Sequence, residues 1–273
     1  NKSWDPGEDL LGLNKSNKFV TIGGSVTEIV FLLGYGQNII AVDQSSTFPE
    51  KVKELPQVGY IRNISSEGVL SMLPTRIFST TAMGPPNVVN KIKNSGVNVE
   101  IFKDPKSIDE INKLIDDIAM KLDFEDGAKR IKDELNQSLE LINNIISKYN
   151  KVPKMAFFMN PSTGSYTAAG SNTNANYMIL SLGGLNVFLD DFSKYKKVDK
   201  EQILKYNPDV IFVANYNPDQ RASLHFINNK EFQLLECIKK NNIIDIEMSD
   251  LTMGPSFPSN MLSILKRINI DFK

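Results

Sequence analysis

The chain has 273 residues, with 31 basic and 32 acidic side chains, one histidine and one cysteine. A nearly balanced charge creates no global field that would recruit nucleic acid. One cysteine excludes a disulfide framework, and one histidine with one cysteine excludes a conventional zinc site, which needs several such ligands.

The beginning of the chain indicates processing. The first residue is Asn1 rather than Met, and a polar stretch follows it. We therefore interpret the start as processed or trimmed, so the missing signal peptide is not evidence for a cytoplasmic protein. No apolar run is long enough to span a bilayer.

Residues 1–126 predict an N-terminal α/β lobe. A Gly-Gly-Ser turn after the first strand leads into an apolar-periodic helix, and strands alternate with helices thereafter. Alternation of this kind predicts a parallel sheet covered by helices. The predicted strands are 19–22, 39–42, a segment ending at 78, and 97–101.

Residues 127–152 predict one long linking helix. Apolar side chains recur at helical spacing from Gly127 to about Tyr149, without a proline or an interior glycine. Such a helix would be more than about 30 Å long at 1.5 Å per residue.

Residues 153–273 predict a second lobe with the plan of the first. Its predicted strands are 155–159, 210–213 and 243–246, and a helix over 261–268 closes the chain. The predicted fold class is α/β, with two Rossmann-like lobes that contain mostly parallel sheets and are bridged by one long α-helix.

A repeated segment supports the two lobes. Residues 67–78 and 201–212 match at a constant offset, and in each copy a Glu opens a short helix, a Pro closes it and an apolar strand follows. Two α/β lobes predict a ligand site in the cleft between them.

The segment Gly59-Tyr60-Ile61-Arg62 is the strongest candidate for ligand chemistry. A phenolate is a hard anionic donor suited to ferric iron, and a nearby guanidinium favours the charged form of the phenol. Tyr60 and Arg62 would face the same side if this loop is extended. The alternative is that Tyr60 is an ordinary packed tyrosine without a ligand role.

Six segments carry a resemblance to bacterial haem-binding periplasmic proteins. These proteins are the substrate-binding components of ABC haem importers and are related to vitamin B12 and siderophore binding proteins. The most specific part is the Gly-Tyr-x-Arg stretch followed by Glu-Gly-Val-Leu. The matching segments are 24–30, 55–62, 66–70, 84–86, 169–170 and 207–211.

The resemblance implies a binding protein without catalytic turnover. It would be located in the periplasm or cell envelope with its signal peptide removed, hold hemin in the interlobe cleft, and deliver it to an ABC permease dimer in the inner membrane. Tyr60 would be an axial ligand of the haem iron, and Arg62 would support it.

The resemblance does not identify an iron ligand on the opposite face of the haem. Some similar proteins place a histidine there, but residues 160–167 contain none. A five-coordinate, Tyr60-bound iron is therefore expected. The alternatives are that His225 swings in, that Tyr166 acts as a second phenolate, or that two haems stack.

Further cofactor-binding candidates lie on loops at predicted strand ends. Hydroxyl and amide groups there would donate hydrogen bonds to the haem propionates. Met83 would line the haem site with apolar surface rather than bind the iron. The donor candidates are Thr80, Thr81, Ser171 and Asn172.

The repeated glutamates have two interpretations. Each would place a favourable charge at a helix N-terminus. The resemblance implies in addition that Glu67 and Glu201 dock onto arginines of the two permease subunits, since one acidic residue in each lobe suits a two-subunit partner.

Two other functions remain open from the sequence. The same scaffold would serve a ferric siderophore or a corrinoid. An enzyme acting in the cleft is disfavoured, since the chain has a single histidine, no Gly-x-Ser-x-Gly elbow and no Walker phosphate loop.

Overall fold

The computed structural model describes residues 17–162, 165–216 and 221–269. The chain forms two compact units. Unit 1 contains the described residues up to Glu134 together with Met253–Pro255, and unit 2 contains Leu135–Thr252 and the described residues from Ser256 onward. Both units combine a sheet with helices, which confirms the predicted fold class.

Unit 1 contains a four-stranded parallel sheet in the order β2-β1-β5-β6, and a separate two-stranded hairpin, β3-β4. Its strands are β1 Phe19–Ile22, β2 Ile39–Val42, β3 Gly59–Tyr60, β4 Asn63–Ile64, β5 Arg76–Thr80 and β6 Asn98–Phe102. Its helices are α1 Gly24–Val30, α2 Ser66–Ser71, α3 Pro86–Lys93 and α4 Ile108–Lys121.

The order of these strands determines where unit 1 can hold a ligand. The two central strands are buried almost throughout, as expected for apolar runs in a parallel sheet covered on both faces. The chain passes from β1 to β2 on one side and then returns to β5 on the other side of β1. Ligands of open parallel sheets bind at such a switch point, outside the carboxyl ends of the strands.

The long helix α5 spans Glu125–Ile146, and the boundary between the units falls within it. It begins at Glu125 rather than Gly127, after a left-handed residue, Asp123, ends the preceding helical turn. Gly127 lies in the first turn, where an added Cβ would be 2.6 Å from the Phe124 ring. At 1.5 Å per residue the 22 residues extend about 33 Å.

Unit 2 has a sheet in the order β10-β8-β7-β11-β12, with β9 beside β7. Only β8 runs opposite to the other strands of this sheet among the residues described. The strands are β7 Lys154–Ser162, β8 Ser165–Ala169, β9 Leu185–Asn186, β10 Tyr195–Val198, β11 Val210–Asn215 and β12 Ile243–Glu247. The helices are α6 Asn174–Ser181, α7 Lys200–Tyr206, α8 Leu224–Ile227, α9 Glu236–Lys239 and α10 Phe257–Leu265.

Aromatic side chains fill the core of unit 2. The Phe158 ring lies 5.1 Å from Phe226 and 6.0 Å from Phe188 between centroids, distances typical of favourable aromatic pairs. Cys237 is fully buried in the same cluster. Burial raises the pKa of its thiol to about 12, so the cysteine is a packing residue.

The repeated segment has the same local structure in both units. In unit 1, α2 leads through Pro74 into β5; in unit 2, α7 leads through Pro208 into β11. Both strands are central in their sheets. The helix ends with a left-handed residue in each copy, Leu73 with φ 50° and Asn207 with φ 43°.

Candidate functional site

The segment that contains Tyr60 is a tight β-hairpin. Tyr60 pairs with Asn63, and residues 61 and 62 form the turn. Gly59 has φ 108°, and an added Cβ would lie 3.0 Å from the carbonyl oxygen of Asn63. Only glycine fits this position without strain. The sequence did not predict β3 and β4, because strands of two residues are too short to show periodicity.

Neighbouring side chains of the hairpin point to different environments. Ile61 is 8% exposed and packs into the unit 1 core, whereas Tyr60 is 47% exposed. Arg62 is also exposed. It lies in the two-residue turn, so the condition of an extended loop is not met, although the side chains still alternate between exposed and buried. Tyr60 and Arg62 are presented to solvent on either side of the buried Ile61.

Backbone hydrogen bonds hold the hairpin against the carboxyl ends of two strands. The N–H of Gly84 donates to the carbonyl of Ile61 at 2.9 Å, and the N–H of Ile64 donates to the carbonyl of Gly84 at 2.9 Å. On the other side, the N–H of Gln44 donates to the carbonyl of Gly59 at 2.9 Å. The hairpin is therefore fixed between the turn that follows β5 and the loop that follows β2.

The loop after β6 continues this surface. The N–H of Thr81 donates to the carbonyl of Phe102, and the N–H of Asp104 donates to Oγ1 of Thr81 at 3.1 Å. We call the hairpin 59–64, the turn 80–84 and the loop 103–107 the Tyr60 face. It lies at the carboxyl edge of the unit 1 sheet, where the strand order predicts a ligand site.

The remaining unit 1 candidates differ in accessibility. Thr81 is exposed. Thr80 is 1% exposed and its hydroxyl lies 3.4 Å from Oδ1 of Asp104, so it already has a partner. Met83 is 7% exposed and belongs to the unit 1 core.

The cations of the Tyr60 face have unequal environments. No described residue offers an acceptor to the Arg62 guanidinium. Lys103 forms an ion pair with Glu110, and Lys106 forms one with Asp104. The two lysine side chains are largely exposed. The sequence analysis did not single out these lysines; the signal available was a polar loop directly after a predicted strand.

The unit 2 candidates lie on several elements. Tyr166 is 3% exposed, and its ring contacts those of Phe226 and Phe232 while its hydroxyl lies 3.4 Å from Nδ2 of Asn229. The described structure therefore places this phenol in the core rather than at a surface. His225 is exposed on the short helix α8.

Ser171 and Asn172 lie on the loop that precedes α6. The hydroxyl of Ser171 donates to the carbonyl of Phe192 at 3.3 Å. Asn172 is exposed, has φ 57°, and donates from Nδ2 to Oγ of Ser193 at 3.1 Å. Asn172 is the more accessible of the two.

Glu67 and Glu201 occupy the same position in two equivalent helices. Each is the second residue of its helix and each is exposed. The helix N-termini are capped by Ser65, which accepts from the N–H of Gly68 at 3.0 Å, and by Asp199, which accepts from the N–H of Gln202 at 2.8 Å. Because other side chains make the caps, neither glutamate is needed as a cap.

Two further observations bear on the class of protein. Within the described ranges, no group of three or more His, Cys, Asp or Glu side chains is arranged to hold a bare metal ion. None of the helices in that part of the chain has the length and apolarity to cross a membrane.

The fold is that of a solute-binding protein. A family model described as "Periplasmic binding protein" matches residues 20–248, and the chain belongs to this family. The members of this family bind and carry solutes and are not enzymes.

Individual relatives differ in the ligand that their names give. The vitamin B12-binding protein of Yersinia pestis (strain Pestoides F) is 24% identical over 200 residues, covering 73% of this chain and 70% of the relative. The periplasmic heme-binding protein RhuT from Roseiflexus sp. RS-1, in its apo form, has a TM-score of 0.84 and 27% identity, covering 93% of this chain and 98% of that one. The periplasmic heme-binding protein HutB of Vibrio cholerae has a TM-score of 0.79 and 25% identity, covering 92% and 97%.

Proposed function

We propose that this protein is an extracytoplasmic haem-binding protein that captures hemin at the Tyr60 face and delivers it to an ABC permease for haem and iron uptake. The observation that carries the proposal is the presentation of Tyr60. Its phenol is about half exposed on a hairpin whose backbone is held from both sides.

The chemistry of this surface suits ferric haem. Tyrosine is an established axial ligand of haem iron, and the resulting phenolate needs a nearby positive charge. Arg62 would supply that charge without breaking an existing ion pair or hydrogen bond, because no described residue offers its guanidinium an acceptor. Tyr60 would be the single axial ligand from this chain, giving five-coordinate iron.

The haem propionates require hydrogen-bond donors. Thr81 and Asn172 are the most suitable of the proposed donors because both are exposed. Thr80 and Ser171 would have to give up internal hydrogen bonds. Met83 would contribute apolar surface from beneath the hairpin, and Tyr166 would become available only if the unit 2 core rearranged.

The comparisons favour haem among the possible ligands of the family. RhuT and HutB, both named as heme-binding, each match more than nine tenths of this chain. Delivery to a permease follows from the proposed role, and Glu67 and Glu201 would be the docking residues, one on each unit.

A hemin titration followed by visible spectroscopy tests the proposal. Tyr60→Phe removes the ligand oxygen but keeps the ring, so hemin affinity should fall about 100-fold, equivalent to about 2.7 kcal/mol. The absorption of tyrosinate-bound high-spin ferric haem should disappear with it. Tyr195→Phe is the matched control, since Tyr195 is a 38% exposed tyrosine in unit 2. An unchanged spectrum in Tyr60→Phe would remove Tyr60 as the ligand.

A corrinoid is the second candidate, because the vitamin B12-binding relatives cover 73% of this chain. Cyanocobalamin brings its own axial ligands, so its binding would not depend on a phenolate. Saturable cyanocobalamin binding that survives Tyr60→Phe, with no saturable hemin binding, would decide for the corrinoid.

A further inference from the structure

A buried carboxylate lies directly beneath the loop that supports the Tyr60 hairpin. Asp43 follows β2 and is fully buried. Its Oδ1 accepts hydrogen bonds from the N–H of Gly23 at 2.7 Å and from Oγ of Ser46 at 2.6 Å. Its Oδ2 accepts from the N–H and the Oγ of Ser45, at 2.9 and 2.5 Å. Each carboxylate oxygen thus receives two donors.

The neighbours of Asp43 in the chain are bonded to the segment that leads into Tyr60. On one side, the carbonyl of Val42 accepts from the N–H of Val58 at 2.9 Å. On the other side, the N–H of Gln44 donates to the carbonyl of Gly59, also at 2.9 Å. The peptide units on both sides of Asp43 therefore hold the two residues that precede Tyr60.

The carboxylate is also connected to the rigid part of unit 1. The hydroxyl of Ser46 lies 2.7 Å from Oγ1 of Thr27, and that atom lies 2.8 Å from Oγ1 of Thr21. Thr27 is in α1, Thr21 is in β1, and all three side chains are buried. Fully satisfied buried polar networks give a segment one defined position.

We propose that Asp43 is a positioning residue for the iron ligand. It does not touch the ligand; it sets the position of the backbone at residues 58 and 59, and thereby the position of the phenol of Tyr60. The inference rests on the proposed haem-binding function. A carboxylate suits this place because each of its oxygens accepts from one backbone N–H, whereas the NH2 group of a side-chain amide would face one of those two N–H groups whichever way it is oriented.

The test compares Asp43→Asn with a matched control. Asp209→Asn in unit 2 also replaces a carboxylate that accepts from a backbone N–H, that of Lys154 at 2.8 Å, and from a lysine. Asp209 lies just before β11, in a turn with no role in the proposed site. Both variants should unfold at lower temperature than the parent protein.

Only Asp43→Asn should change the haem site. We expect its hemin affinity to fall at least tenfold, and the tyrosinate absorption of the hemin complex to shift or weaken, while Asp209→Asn keeps the parent affinity and spectrum. A folded Asp43→Asn protein with the parent affinity and spectrum would overturn the inference.

Two further variants keep the test decisive. If Asp43→Asn does not fold, Ser45→Ala removes one of the four donors and leaves the carboxylate in place. It should show the same spectral change to a smaller extent, and a loss of thermal stability without any spectral change would contradict a positioning role. The parent protein and Tyr60→Phe, measured in parallel, separate the two hypotheses. If the parent protein shows no saturable hemin binding, the proposed function fails. If it binds hemin and Tyr60→Phe impairs binding but Asp43→Asn does not, only the role of Asp43 fails.

Discussion

The two units use the residues before the repeated helix in different ways. In unit 1, residues 59–64 form a hairpin separate from the main sheet, and Tyr60 lies on it. In unit 2, the residues just before α7 form β10, which adds to the edge of the main sheet beside β8. Both copies of the repeat form the same helix and strand. The hairpin at 59–64 does not join the main sheet, and it is the segment that presents a candidate iron ligand.

The segments that follow are nearly equivalent. The helices α2 and α7 both begin with an N-cap and carry an exposed glutamate as their second residue. A binding function needs only one iron ligand, but a partner with two subunits needs one contact from each unit. This comparison predicts that the shared features serve docking and the unshared hairpin serves binding.

The largest expected effect concerns transport. Glu67→Lys together with Glu201→Lys should abolish hemin uptake in a reconstituted transporter, because each would replace an attractive charge with a repulsive one at the proposed docking surface. Each single variant should reduce uptake partly, and hemin affinity should stay at the parent value.

Glu140→Lys is the control for the change in net charge of each single variant, since Glu140 is exposed and lies on α5 rather than on either repeated helix. Unimpaired uptake in the double variant would refute the docking role. Reduced uptake in the control would mean that overall charge, rather than position, matters.

A smaller effect is expected at the ends of the repeated helices. Leu73 and Asn207 both adopt left-handed backbone conformations, which cost a residue other than glycine or asparagine about 1–2 kcal/mol. Asn207→Leu should lower the free energy of unfolding by about 1 kcal/mol. Leu73→Asn should raise it by about 0.5–1 kcal/mol, since Leu73 is 74% exposed and contributes little to the core.

Chemical denaturation of the two variants measures both changes. Leu73→Ala is the matched control, because it removes the same side chain without supplying a residue that favours the left-handed region. If Leu73→Asn and Leu73→Ala have equal stability, the left-handed backbone is not the source of the difference.

An effect of similar or smaller size is expected from the helix caps. Asp199 and Gln202 exchange two hydrogen bonds, at 2.8 and 3.2 Å, whereas Ser65 accepts one from the N–H of Gly68. Asp199→Ala should therefore cost about 1 kcal/mol and Ser65→Ala about 0.5 kcal/mol. Amide hydrogen exchange at Gln202 and Gly68 measures each loss locally. Faster exchange throughout the whole unit would contradict a local capping role.

The sequence predicted the regular parts of the fold because their signals are strong. The strands at 19–22 and 39–42 have the predicted bounds. Apolar runs between helical patterns indicate parallel strands. The same order of a Glu, a Pro and an apolar run in residues 67–78 and 201–212 indicates a repeat. The strand β8 was missed because the segment around residues 160–167 is polar and glycine-containing, which is typical of a loop.

The site could be predicted only in part. The sequence pointed to Tyr60 and Arg62, but the turn at residues 61 and 62 depends on Gly59 adopting φ 108° and on hydrogen bonds to Gly84. Asp43 gave no signal, because an aspartate after a strand does not reveal that its carboxylate joins Ser45 and Ser46 of its own loop to the N–H of Gly23 after β1.

The assignment of Met253–Pro255 to unit 1 has a practical consequence for dividing the chain. Gly254 packs against the carboxylate of Glu28, which is 1% exposed in α1, and leaves no room for a Cβ. A fragment that stops within α5 would contain the Tyr60 hairpin but lose the cover over this carboxylate. The unit that carries the Tyr60 hairpin is therefore discontinuous in the sequence, and a fragment of it should include a linker that brings residues 253–255 back to it.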